Sequence, residues 1–164
     1  MKRLTLVRHA KSSWTEIGRP DHNRTLSDSG NYDASRIGKR LAARKMYPSL
    51  ILTSSATRAH QTAILIAEVL KYPTESLHIE KKLYLASPAT ILESVYEQEE
   101  SLSEIMVIGH NPGMTELVNQ LLPSLRAHNL KPSAVVAIDF STTKWSKIKN
   151  ANAKLEFYDY PNNP

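Results

Sequence analysis

The chain has 164 residues, 41% hydrophobic and 23% charged, with 5 glycines, 9 prolines and no cysteine. That length suits a single domain, 1–164, with a substantial core, and the composition excludes collagen-like, low-complexity and disordered classes. The lack of cysteine excludes a disulfide framework, a thiol nucleophile and a zinc–thiolate site. No apolar run approaches the roughly 18 residues of a membrane span, and the apolar stretch after Met1 is too short for a signal peptide. The expectation is a cytoplasmic globular domain with no membrane contact.

In chain order, Leu4–Val7 reads as a first strand, apolar and bounded by charge. A helix follows, with Ala34, Ile37, Leu41 and Ala42 on one face, Ser27 as its cap and Pro48 soon after its end. Leu50–Thr53 is a second strand, and Thr57 to Lys71 a second helix with Ala59, Ala63, Ile66 and Leu70 inward. A third helix opens with Ser87 as cap and Pro88 in the first turn, burying Ile91, Leu92 and Val95. Ile105–Ile108 is the next strand. Asn111–Pro112 suggests the same cap-then-proline start for a fourth helix carrying Leu117, Val118 and Leu121. Val135–Phe140 and Lys154–Tyr158 close the chain as strands. Strands alternating with helices predict one α/β domain with a mainly parallel sheet flanked by helices.

The net charge of +5 is unevenly spread: residues 1–60 carry +8, residues 61–120 carry −6 and the remainder +3. A basic first third suits an anionic partner. Nucleic acid is not expected, because no Lys/Arg run exceeds two residues and aromatic residues are only 7% of the chain.

Sites in open α/β sheets gather beyond the carboxyl ends of the strands. Arg8-His9 follows the first strand, Ser54-Ser55 and then Arg58 follow the second, and Gly109-His110-Asn111-Pro112 follows Ile105–Ile108. A lone histidine is usually a satisfied structural group, and a lone arginine a solvated surface charge. Repeated together at strand ends, they point to a phosphate site, since guanidinium groups fork onto oxyanions and helix amino termini add oriented N–H groups. His9, His22, His110 and Asp21 could instead be metal ligands, but neighbouring arginines repel a dication and no metal is expected.

Three segments carry a family resemblance. LVRHAKS at 6–12 resembles the signature of the histidine phosphatase, or phosphoglycerate-mutase-like, superfamily. TSSATRAHQTA at 53–63 is similar to its second motif, and VIGHNPGM at 107–114 to the third, in the same order. PDHNRTLSDSG at 20–30 resembles the Asp-x-x-Arg-Pro-Leu-Ser segment of the short SixA-type phosphohistidine phosphatase branch, with Thr25 where proline is usual. The resemblance implies a phosphoglycerate-mutase-like fold and a phosphatase working through a covalent phosphohistidine on His9. Arg8, Arg58 and His110 would surround the phosphoryl oxygens, and Arg24 and Asn111 would assist in substrate binding. No cofactor is implied. The implied partner is a phosphorylated protein, such as a histidine phosphotransfer domain, or a small phosphorylated substrate.

Larger members carry a leaving-group glutamate where this chain has Leu83-Tyr84-Leu85. An alkoxide leaving group, whose conjugate acid has a pKa on the order of water's 15.7, needs a proton donor. Imidazole, with a conjugate-acid pKa near ~6.5, does not need one as strongly. The missing glutamate therefore favours phosphohistidine, with Asp21 or Glu80 as possible substitute acids. A short segment between Arg58 and His110 predicts an open, shallow pocket that suits a residue displayed on a protein. The alternatives are a metal-independent phosphomonoesterase for a small metabolite and a non-catalytic phosphate-binding interaction module.

Overall fold

The computed structural model describes residues 1–15 and 17–164. Its sheet is built from β1 (Lys2–Arg8), β2 (Leu50–Ser54), β3 (His78–Glu80), β4 (Glu104–Gly109), β5 (Val135–Phe140) and β6 (Ala153–Asp159). The helices are α1 (Asp28–Ala43), α2 (Thr57–Leu70), α3 (Pro88–Tyr96) and α4 (Gly113–Leu121). The strand order is β3-β2-β4-β1-β5-β6. β1 and β2 both pair parallel with β4, β3 joins the edge parallel to β2, and only β5 runs against the others.

The strand side chains divide by the period of two that a sheet buried on both faces requires. Leu4, Leu6, Ile105, Val107, Val136 and Ile138 pack with Ile91, Leu92 and Val95 of α3 and Leu117 and Val118 of α4. Met106, Ile108, Val135 and Ala137 face the other way, onto Ile37 and Leu41 of α1 and Ala59, Ala63 and Ile66 of α2. Each helix thus buries the stripe legible in its sequence, and the sheet is held from both sides.

Caps fix where the helices start. Ser27 Oγ accepts from Gly30 N at 3.0 Å, and Ser87 Oγ accepts from Thr90 N at 3.3 Å, both with the geometry a serine cap supplies. The fourth helix departs from expectation. Pro112 occupies its cap position after a cis Asn111–Pro112 peptide, and the helix begins at Gly113. A Cβ on Gly113 would lie 1.9 Å from the Ala86 carbonyl oxygen, so glycine lets this helix end press against the segment before α3.

Two features were not legible in the pattern. β3 is three residues long and largely exposed, with no apolar alternation to mark it. The reversal of β5 comes from residues 122–134, which return the chain to the carboxyl end of β1 before β5 starts. There Ser133 N donates to the backbone oxygens of Arg8 and His9 at 3.1 and 3.2 Å. The amino end of β5 therefore joins the carboxyl ends of β1, β2 and β4 at one edge of the sheet.

Candidate active site

That edge carries the site. β1 delivers Arg8 and His9, α2 delivers Arg58 in its first turn, and β4 delivers His110. All four line one cavity of about 460 Å³, together with Asp21, Arg24 and Asn111. The His9 and His110 rings lie 5.1 Å apart between centroids, tilted by 56°. His9 is 8% exposed and His110 2% exposed, so both form the floor, while Trp14, at 77%, and Leu85, at 53%, stand at the mouth.

Hydrogen bonding fixes the state of His9. Its Nδ1 lies 2.7 Å from the Ala10 carbonyl oxygen, which can only accept. Nδ1 therefore carries the hydrogen and Nε2 keeps its lone pair. Burial, reinforced by the charges of Arg58, Arg8 and Arg24, pushes the imidazole pKa down to about 4, against the pull of the Ala10 bond. The ring is neutral at physiological pH, as a nucleophile requires.

His110 is set by a residue that sequence reasoning left aside. Its Nε2 lies 2.7 Å from Ser54 Oγ, which accepts from Ala56 N at 3.2 Å. The arrangement that leaves no hydroxyl hydrogen idle has Ser54 donating to Nε2, so that Nδ1 bears the hydrogen. That Nδ1 is buried without a partner. Burial, His9 and Arg58 lower the His110 pKa to about 3. Ser54 was visible only as part of a serine pair after a strand, and its register against His110 came from the pairing of β2 with β4.

The arginines are held in place with donors to spare. Arg8 donates Nη1 to the Leu130 carbonyl at 2.6 Å, and its Nε is buried without a partner. Arg58 donates to the backbone and carboxylate oxygens of Asp21 at 2.8 and 3.1 Å, and its Nε is likewise unpartnered. Burial and the Arg58 charge lower the Arg8 pKa, a sign of cations crowded together. Arg24 donates Nε to Asp21 at 3.1 Å, and its guanidinium lies 3.6 Å from the Trp14 ring centroid. Asn111 lines the cavity, but its amide braces the loop: it donates to Leu130 O at 3.1 Å and accepts from Thr115 N and Oγ1.

Asp21 is the carboxylate that lines this cavity. It sits on a single 3₁₀ turn at 21–23 and receives hydrogen bonds from Arg24, Arg58 and the Tyr84 hydroxyl. The Tyr84 bond, then those from Arg24 and Arg58, hold its carboxyl at about 2 despite some desolvation. Tyr84 also places its ring edge-on to His110 at 5.5 Å and to His22 at 4.8 Å. Glu80 is not among the residues lining the cavity; its carboxylate lies 3.7 Å from His78 Nε2. Among the described residues, no group of three or more His, Cys, Asp and Glu side chains is arranged to hold a metal ion.

A neutral, oriented imidazole among guanidinium groups with idle N–H donors has the chemistry to attack a phosphoryl group. Residues 4–83 match the model of the histidine phosphatase superfamily, branch 1. The chain is 33% identical over 128 residues to an uncharacterised chloroplastic protein of Arabidopsis thaliana, a match covering 73% of this chain but only 59% of that one. Among solved structures, a protein assigned as the phosphohistidine phosphatase SixA of Agrobacterium tumefaciens superposes with a TM-score of 0.80 at 25% identity, over 98% of both chains. The protein histidine phosphatase SixA complexed with tungstate shares the fold, with a TM-score of 0.82 at 19% identity over 97% of each chain. The chain belongs to the histidine phosphatase superfamily. Within it, the architecture is that of the short, SixA-type members, with a six-stranded, mostly parallel sheet flanked by helices.

Proposed function

We propose that the protein is a metal-independent phosphatase that removes a phosphoryl group through a covalent intermediate on His9, and that its preferred substrate is phosphohistidine on a protein. The observation that carries this reading is the His9 ring, tied at Nδ1 to Ala10 O and free at Nε2, beside arginines with unpartnered N–H groups. In the first step the Nε2 lone pair forms a bond to phosphorus as the bond to the leaving nitrogen breaks; the electron pair stays with that nitrogen, and a substrate ring protonated on its other nitrogen departs as neutral imidazole. Arg8, Arg24, Arg58 and the His110 Nδ1–H carry the charge of the phosphoryl oxygens, which is where such reactions need stabilisation. In the second step water attacks phosphorus, the P–Nε2 bond breaks, and the water proton passes to the departing inorganic phosphate. His9 is regenerated neutral.

The choice of leaving group follows from Asp21. A carboxyl held at about 2 is ionised at neutral pH and has no proton to give. Leu85, at the cavity mouth, offers none either. A group that departs without acid from the protein is favoured. A phosphohistidine ring protonated on its free nitrogen is such a group, because it leaves as neutral imidazole, whose conjugate acid has a pKa of ~6.5, rather than as imidazolate. The exposed mouth around Trp14 and Leu85 admits a side chain displayed on another protein. No helix among the described residues is long and apolar enough to cross a membrane, and the cytoplasmic setting remains part of this proposal beside a chloroplastic relative.

The test is a substrate panel comparing a phosphohistidine-bearing phosphotransfer domain, a phosphoserine peptide and sugar phosphates by kcat/KM. The highest efficiency on the phosphohistidine protein supports the reading. Equal or better efficiency on a sugar phosphate establishes the metabolite phosphatase instead, and no turnover of any of them leaves a phosphate-binding module.

A further inference from the structure

A second cavity, of about 330 Å³, adjoins the catalytic one and shares Lys11 and Pro132 with it. Its other walls are Ser29 at the amino end of α1, Lys131, and the C-terminal segment at 160–162. Nothing in the reaction just described uses it.

Both walls are set before any ligand arrives. The Lys11 carbonyl receives Ser27 N at 2.9 Å and lies 2.0 Å from where a Cβ on Gly30 would sit, so α1 is pressed against this stretch. Opposite, Arg36 and Arg40 donate to the Pro161 carbonyl at 2.6 and 2.8 Å, and Arg40 also donates to Tyr160 O at 2.8 Å. The Lys131 ammonium lies 4.4 Å from the Tyr160 ring centroid, which positions it without neutralising it.

The charges in the cleft do not balance. Its one carboxylate among the described residues, Asp33, is paired with Arg36 at 3.2 Å. Among the described residues neither Lys11 nor Lys131 has a carboxylate within ion-pair distance. Two ammonium groups without counter-charge, in a preformed cleft opening into an oxyanion pocket, favour a molecule with two anionic ends.

We propose that this cleft is a second anion subsite, which takes a carboxylate or phosphate carried by the same substrate whose phosphoryl group lies over His9. The inference rests on the proposed phosphoryl pocket and adds to it a substrate class: phosphorylated compounds or peptides with a second negative group within reach of Lys11 and Lys131. For a protein substrate the second group is an acidic side chain beside the phosphorylated residue.

Equilibrium binding tests this without turnover. A series of ω-phosphonocarboxylates of increasing chain length is compared by calorimetry with alkylphosphonates of equal length, with inorganic phosphate as reference. At the length that spans both cavities, the carboxylate is expected to tighten binding by about twofold to fivefold, the range for ion pairs to exposed ammonium groups. Lys131→Glu should abolish that advantage and leave alkylphosphonate affinity within about twofold, since Lys131 lines only the second cavity. Phosphonates that bind with no carboxylate advantage at any length, or an advantage that survives Lys131→Glu combined with Lys11→Ala, would overturn the subsite alone. Failure of phosphate and every phosphonate to bind would overturn the catalytic pocket and the subsite together. Phosphohistidine peptides with and without a neighbouring glutamate then identify the source: a gain in the peptides marks a protein substrate, and a gain confined to small molecules marks a metabolite.

Discussion

The two ends of the sheet both bury cations, and they treat them in opposite ways. At the amino end of β1, Arg3 holds Asp139 through two bonds, at 2.7 and 3.0 Å, and reaches Glu104 at 3.5 Å and Glu156 at 3.8 Å. Lys2 donates to the carbonyls of Leu102 and Glu100. The Asp139 bond raises the Arg3 pKa. Among the described residues the one loose end there is Glu104 Oε2, buried and unpartnered, and burial pushes that carboxyl up. At the carboxyl end, by contrast, Arg8 and Arg58 crowd together, two histidines are held neutral, and Arg8 Nε, Arg58 Nε, His110 Nδ1 and Ser133 Oγ lack partners. Charge satisfied within the chain serves the fold. On the proposed reading, charge left unsatisfied is prepared for an anion from outside.

The sharpest way to break this contrast is to remove one residue from each end. His9→Ala should reduce turnover by about 10⁴-fold or more, as nucleophile deletions do, with an unchanged circular dichroism spectrum. Arg3→Ala should do the reverse, lowering Tm while the folded protein keeps its kcat/KM. Turnover near wild type in His9→Ala would remove the nucleophile from the account.

The next largest effect concerns the leaving group. Acid catalysis contributes about 10²–10⁴-fold, so P–N and aryl phosphates should exceed alkyl phosphates by that order in kcat/KM. Leu85→Glu, at the cavity mouth, should narrow the gap by raising alkyl phosphate hydrolysis. If Asp21→Asn costs alkyl phosphates far more than phosphohistidine, Asp21 is an acid after all. Below this come the guanidinium groups: Arg8→Ala and Arg58→Ala should each lower kcat by about 10²–10³-fold and weaken vanadate binding. Wild-type vanadate affinity in either variant would break the comparison at its centre.

Proton linkage distinguishes the ends more gently. His9 and His110 have folded-state pKa values of about 4 and about 3, below the roughly 6.5 of an unfolded histidine. The unfolded chain therefore binds protons first, and stability falls as pH drops from about 6.5 towards 3. His9→Gln and His110→Gln should flatten the decline of Tm across that window, and curves that superpose on wild type would contradict the burial of neutral rings. The smallest expected effect is none: treatment with EDTA should leave activity unchanged, whereas a loss restored by zinc or magnesium would replace arginine charge with metal charge.

Much of this was legible in the chain. The helix stripes, the serine caps of α1 and α3, and the arrival of Arg8-His9, Arg58 and His110 at strand or helix ends all follow from local pattern. What was not legible depends on partners distant in sequence. Ser54 meets His110 only through the register of β2 on β4, and Tyr84 meets Asp21 across 63 positions. Leu130, the shared acceptor for Arg8 and Asn111, lies in the loop that returns to the site before β5 starts. Motifs mark which groups react, and long-range packing decides how each is oriented.

The most direct test of the central claim is to trap the intermediate. Wild-type protein is mixed with radiolabelled phosphohistidine substrate and quenched under alkaline denaturing conditions, which preserve phosphohistidine, and the labelled residue and ring nitrogen are identified by mass spectrometry and phosphorus NMR. The account predicts label on His9 at Nε2, appearing and decaying within a turnover. Label on His110, label on Nδ1 of His9, or turnover with no labelled protein would contradict it.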